Sequence, residues 1–142
     1  MNARPASPLL RAFTHRAVRA VGLVGLCAAY LQGGLNKLTD FPSALAEMAH
    51  FGLAPAAPFA VAVIVLELGA SLLIISGLYR WLGALALAGF TLLATFLALR
   101  FWQMPVGPER FMAANAFFEH LGLAGGFLLV AWWDLSARTQ AD

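Results

Sequence analysis

Four long apolar runs, separated by short polar breaks, organise the chain. The first, 20–36, carries no charge and stops at Lys37. The second, 58–79, holds a single charge, Glu67, near its middle. The third, 81–99, holds none, and the fourth, 111–133, contains Asn115, Glu119 and His120. Each has the roughly 17–25 residues that a helix needs to cross a bilayer. The pattern predicts membrane spans over 17–37, 58–79, 81–101 and 112–133, within one domain covering 1–142. Arg80 is the one charge between the second and third runs, so these two form a tight antiparallel hairpin. The long connection, 39–57, is broken by Pro42 and Pro55. Between them Leu45, Met48, Ala49 and Leu53 recur at helical spacing, which predicts a short interfacial helix. The fold class is all-α, an integral membrane four-helix bundle.

Composition narrows the choice further. Hydrophobic residues make up 61% of the 142 and charged residues 11%, against roughly 45–50% and 25% in soluble domains. A disordered chain, a nucleic-acid binder and an ordinary soluble enzyme are excluded. Four spans of ~20 residues leave about 60 for ends and loops, too few for a separate catalytic domain. The basic, apolar start has features of a secretory signal or a transit peptide. However, the run exceeds a usual signal core, and the rest of the chain is equally apolar, which favours a retained helix.

The net charge is +2, and Arg4, Arg11, Arg16 and Arg19 precede the first acidic residue, Asp40. With four spans both termini share one side. A cytoplasmic N-terminus puts these four with Arg80 and Arg138 inside, and leaves Lys37, Arg100 and Arg110 outside. The positive-inside rule therefore predicts cytoplasmic N- and C-termini. Trp102 at one surface and Trp132 and Trp133 at the other suit aromatic belts, and Tyr30 reads as another interface anchor. Gly25, Ala29 and Gly33, like Gly122 and Gly126, recur every four residues and are the expected close-packing stripes.

Ionisable groups at bilayer depth cost ~2.5–3.5 kcal/mol on insertion scales. Glu67 should lie ~13 Å below the surface, where it is either protonated or paired with Lys37 or Arg100, both near the same face. Asn115, Glu119, Gly122 and Gly126 fall within a stripe roughly 60° wide, which puts Glu119 on the packing face. His120 then turns towards a neighbouring helix or a second copy of the chain. Gln32, Asn36, Lys37, Glu67, Arg100, Asn115, Glu119 and His120 all fall in the outer half of the bilayer or at its edge, and the inner half holds almost no polar group. This asymmetry predicts a polar ligand pocket between the helices, open to the periplasmic side. The alternative is that Glu67 and its cation only fix helix register.

Other chemistries lack their residues. Cys27 is the only cysteine, so dithiol redox work is excluded. His120 is the one histidine inside a span, since His15 and His50 lie outside the runs, and a bis-histidine haem would need a second subunit. No zinc spacing, phosphate loop or dinucleotide fingerprint occurs, and no metal site is predicted. An intrinsic cofactor and independent catalysis are not expected.

Three stretches carry a resemblance. The first run ends Gly33-Gly34-Leu35-Asn36-Lys37-Leu38-Thr39-Asp40-Phe41. The second contains Leu66-Glu67-Leu68-Gly69-Ala70, followed by Leu72-Leu73 and Gly77. After Phe118 the fourth runs Leu121-Gly122-Leu123-Ala124-Gly125-Gly126-Phe127-Leu128-Leu129. In this order, over 21–133, they resemble the DoxX family of small bacterial inner-membrane proteins. Lys37 and Glu67 match the family's two recurrent charges, and Gly125-Gly126 its terminal glycine pair. Two outer-half positions depart from the pattern. Arg100 stands where many members carry histidine, and Glu119-His120 where many carry Lys-Asn.

The resemblance implies a four-helix bundle associated with redox systems, including thiosulfate- or quinol-linked oxidoreductases. It leads to the expectation of an accessory subunit in the bacterial inner membrane, with quinone at the polar pocket. The anticipated partners are the lipid bilayer, a redox-enzyme subunit and a second copy of the chain, with no nucleic acid. The alternatives are a non-catalytic carrier or permease, a lipid-binding protein, and a structural scaffold.

Overall fold

The computed structural model describes residues 8–140, so Arg4 of the predicted charge balance lies outside the described residues. A short α1 (Pro8–Phe13) leads into α2 (Arg16–Thr39). Then come α3 (Phe41–His50), α4 (Ala56–Ser76), α5 (Arg80–Ala98), a single 3-10 turn (Phe101–Gln103) and α6 (Pro108–Thr139). Among the described residues there are no strands, and four helices are long and apolar enough to cross a membrane. These are α2, α4, α5 with its following 3-10 turn, and α6.

Local chemistry sets the boundaries. The ring nitrogen Nδ1 of His15 accepts from Ala17 N–H at 3.2 Å and caps α2. At the other end Asp40 does two jobs. Its N–H donates to Asn36 O and closes α2, while its carboxylate accepts from Ser43 N–H at 3.2 Å and opens α3. The predicted connecting helix is thus hinged rigidly to the first span. Ala44 and Met48 of α3 pack on Ala60 of α4. Pro58 lies in the first turn of α4, where proline costs no helix bond. Gly77 ends α4 in the left-handed region, at φ +85°.

The fourth span is longer than its apolar run because both ends are polar yet helix-compatible. Pro108 and Glu109 fill the first turn, and Arg138 bonds Asp134 one turn earlier at 3.1 Å. The third span runs on to Gln103, its α-helix ending at Ala98 and the chain then tightening into the 3-10 turn. There Phe96, Phe101 and Trp102 each meet Phe117 edge-on at 5.4–5.8 Å and fix the crossing from α5 to α6. Trp102 is therefore part of an aromatic cluster as well as half exposed.

The helices pack in the order α2–α4–α5–α6, α4 and α5 forming the predicted hairpin. A Cβ on Gly83 would come within 2.6 Å of Ala70 O, so only glycine allows that approach. The main core joins Cys27, Ile74, Leu87 and Phe127, all fully buried. It fills the half of the bundle nearer the chain termini, and towards α3 the helices part.

The predicted glycine stripes hold at Gly33 and Gly126, which lie against Glu67 and Leu26, and fail at the other positions. Gly25, Ala29 and Gly122 are exposed, and added Cβ atoms on Gly25 and Gly122 would meet nothing within 4 Å. The packed face of α2 is instead Leu23, Cys27, Tyr30 and Gly34, and that of α6 is Ala113, Phe117, Ala124, Phe127 and Ala131. Larger side chains with small partners supply more dispersion contact than glycine against glycine, and this turns each helix. Glu119 is carried off the packing face and is exposed.

Candidate functional site

Where the helices part they leave a cavity of about 620 Å³, roofed by α3 and the loop after it. Most of its wall is aliphatic or aromatic, with Met48, Phe59, Val63, Phe90 and Leu97 among the lining residues. Ala29, Phe59 and Leu93 line it and are also exposed, so the cavity opens through the lipid-facing side of the bundle.

Its polar groups come from five helices. Glu67, only 6% exposed, lies about 16 Å along α4. Lys37 Nζ stands 3.5 Å from its Oε2 and 3.6 Å from Oε2 of Glu47 on α3, so one ammonium is shared by a buried and a half-exposed carboxylate. Glu67 Oε2 is fully buried, and the ammonium 3.5 Å away is the charged partner that holds it. The Gly33-Gly34 pair explains how α2 reaches this carboxylate. A Cβ on Gly33 would touch both Glu67 oxygens at 3.5 Å, and one on Gly34 would sit 2.8 Å from the Leu68 side chain. The glycines and the two charges of the sequence motif are thus one local arrangement.

Across the cavity, Tyr30 hydrogen-bonds through its hydroxyl to Thr91, and His120 Nδ1 lies 3.0 Å from Thr95 Oγ1. Both threonines are on α5, one turn apart, and each donates its own proton to a carbonyl. Thr91 bonds Leu87 O and Thr95 bonds Thr91 O, both at 2.6 Å. Tyr30 also packs edge-on against Phe127 at 5.4 Å, at the level where Leu26 meets Gly126 and α2 touches α6.

Of the eight polar residues singled out from the sequence, Lys37, Glu67 and His120 meet at this cavity. Asn36 lines a second, polar hollow of about 470 Å³, which shares Gly33, Lys37 and Glu47 with the first. The Lys37–Glu47 pair is therefore the partition between them. Gln32, Arg100, Asn115 and Glu119 are exposed and line neither hollow. The cation beside Glu67 is Lys37, and Arg100 plays no part.

Sequence reasoning missed Tyr30, taken for an interface anchor, and also Thr91, Thr95 and Glu47. Two threonines four apart in an otherwise apolar run were the available signal, since a buried hydroxyl in a span asks for a partner. Glu47 gave none beyond its place on an amphipathic turn.

The half expected to be apolar also needs correction. Asp134, buried, sits 3.8 Å from Arg80 Nη1 and accepts from Trp81 N–H at 3.3 Å. Arg80 in turn donates to Ile74 O at 2.8 Å, satisfying a carbonyl at the end of α4. This cluster ties the α4–α5 turn to α6. Among the described residues no group of three or more His, Cys, Asp or Glu side chains could hold a metal ion.

The family model for DoxX matches residues 20–100, more than half of the chain. The chain belongs to the DoxX family. The match takes in Tyr30, Gly33, Gly34, Lys37, Glu47, Glu67, Thr91 and Thr95, hence most of the polar wall of the cavity. His120 and Asp134 lie beyond it, on α6. No curated protein and no solved structure matches the chain. With four apolar spanning helices, this DoxX protein is a multi-pass integral membrane protein.

Proposed function

We propose that this DoxX protein is an accessory subunit of a quinone-linked redox system in the bacterial inner membrane. In this reading both termini are cytoplasmic, the cavity lies in the periplasmic half, and it receives a quinone-type head group. One observation carries the proposal. A buried carboxylate, paired with one ammonium, lines an otherwise largely apolar cavity that opens sideways into lipid. Burying a charge there is costly, which is the mark of a group kept for a ligand or for a fold constraint. The side opening suits an amphiphile that arrives through the bilayer, because its ring and tail keep apolar contact throughout.

The test is equilibrium binding of a quinone analogue to purified protein in lipid nanodiscs. Saturable binding is expected; with a reduced analogue, whose hydroxyl can donate to the carboxylate, Glu67→Gln should weaken it about tenfold, a loss typical of a hydrogen bond to a charged group. Glu119→Gln, on the exposed face, should leave it unchanged. Absence of saturable binding to the wild type would sink the quinone reading.

A carrier for a small amphiphile is the second reading. The shared partition at Lys37 and Glu47 favours it, because parting that pair would join the cavity to the polar hollow beyond. Uptake into proteoliposomes by this protein alone would support it over an accessory role.

A further inference from the structure

Around the cavity, the partner that each hydroxyl meets decides where its proton goes. A carbonyl has no proton to give, so the 2.6 Å contacts of Thr91 with Leu87 O and of Thr95 with Thr91 O use the one proton of each hydroxyl. Thr91 and Thr95 can then only accept from the cavity side. Tyr30 therefore donates its phenolic proton to Thr91, and His120 donates from Nδ1 to Thr95. In the neutral ring this leaves Nε2 bare. Tyr30 keeps only lone pairs for a ligand, and Glu67 as a carboxylate likewise only accepts. The sole donor on the polar wall is the Lys37 ammonium, which is already shared between two carboxylates.

Three acceptors and one committed donor discriminate between ligands that differ only in redox state. A quinone head carries two carbonyl oxygens and no donor. One carbonyl can borrow from Lys37, and the other would face lone pairs. The hydroquinone of the same ring brings two O–H groups, which match Glu67, Nε2 of His120 or the Tyr30 oxygen. Resting on the reading of the cavity as a quinone-type site, we infer that it selects the reduced, hydroxyl-bearing head group over the oxidised one. Thr95 acts as a positioning residue, because its committed proton sets the tautomer of His120.

The experiment compares a decyl-tailed benzoquinone with its hydroquinone, under anaerobic conditions, on the full chain in nanodiscs. The hydroquinone is expected to bind at least about tenfold more tightly. That ratio raises the midpoint potential of the bound two-electron couple by about 30 mV. Thr95→Val keeps the shape of the side chain and frees His120 Nδ1 to pair with another group, so Nε2 can carry the proton. The preference should then fall towards equality while overall folding, checked by thermal unfolding, is retained. Equal binding of the two forms by the wild type, or tighter binding of the quinone, overturns this inference but leaves the site intact. Binding of neither form overturns it together with the proposed function. An undiminished preference in a folded Thr95→Val protein refutes the role given to the His120 tautomer.

Discussion

Replacing Lys37 by methionine should be among the most damaging single changes in this protein. The side chains of Lys37 and Glu67 are 15% and 8% exposed, and their charged atoms are 3.5 Å apart. At an effective dielectric constant of about 20 the pair attraction is on the order of 5 kcal/mol, most of it offset by the desolvation of both ions. Removing the cation loses the attraction but not the cost of the buried carboxylate, so Lys37→Met should destabilise by about 3–5 kcal/mol. Glu67→Leu differs, because Lys37 keeps Glu47, 3.6 Å away and 44% exposed, as a partner. It should cost no more than about 1 kcal/mol. The double variant exchanges the pair for apolar contact and should lie within about 1 kcal/mol of the wild type. Reversible unfolding of all four proteins in mixed micelles closes the cycle. If Lys37→Met proves harmless, or if the double variant is as unstable as Lys37→Met alone, the stranded carboxylate is not what the lysine compensates.

The other end of the bundle offers a parallel contrast. Asp134→Ala strands Arg80, whose side chain is 11% exposed, and should cost about 3–5 kcal/mol in unfolding assays. Arg138→Ala, at a side chain 50% exposed, should cost less than about 1 kcal/mol. Among the glycines, Gly83→Ala drives a methyl group against Ala70 O and should lower stability by about 1–3 kcal/mol. Gly122→Ala meets open space and should be neutral or slightly stabilising, as alanine is the better helix former. For orientation, Ala49→Cys in a Cys27→Ser background should react with an impermeant maleimide in intact cells. Ser136→Cys should react only after lysis, and the reverse pattern would invert the proposed topology.

The spans were legible because lipid leaves so few options. A run of some twenty apolar residues must be a helix when no water can satisfy its backbone. The Lys37–Glu67 pairing was legible as one of two choices, since the rarity of charge within the spans limited the partners. The rotation of each helix was not. Gly25, Gly33, Gly122 and Gly126 are spaced for packing, yet only Gly33 and Gly126 meet another helix, because α2 and α6 turn larger residues inward. Which face is buried depends on how Cys27, Tyr30 and Phe127 fit their partners. That rotation is why Glu119 leaves the bundle and His120 enters it. Tyr30 and Thr91, 61 positions apart, are joined only in three dimensions. Arg80 was read as a topology signal, but its side chain also closes α4 and pairs with Asp134, which no local pattern announces.

The cavity beside Glu67 is proposed to lodge an amphipathic ring compound. Photo-crosslinking with an azido-benzoquinone, followed by peptide mapping, tests it directly. Adducts are expected on lining residues such as Val63, Phe90, Ala94 and Leu123, and an excess of unlabelled decyl-benzoquinone should suppress them. Adducts confined to lipid-facing positions such as Val21 and Leu129, indifferent to competitor, would contradict it.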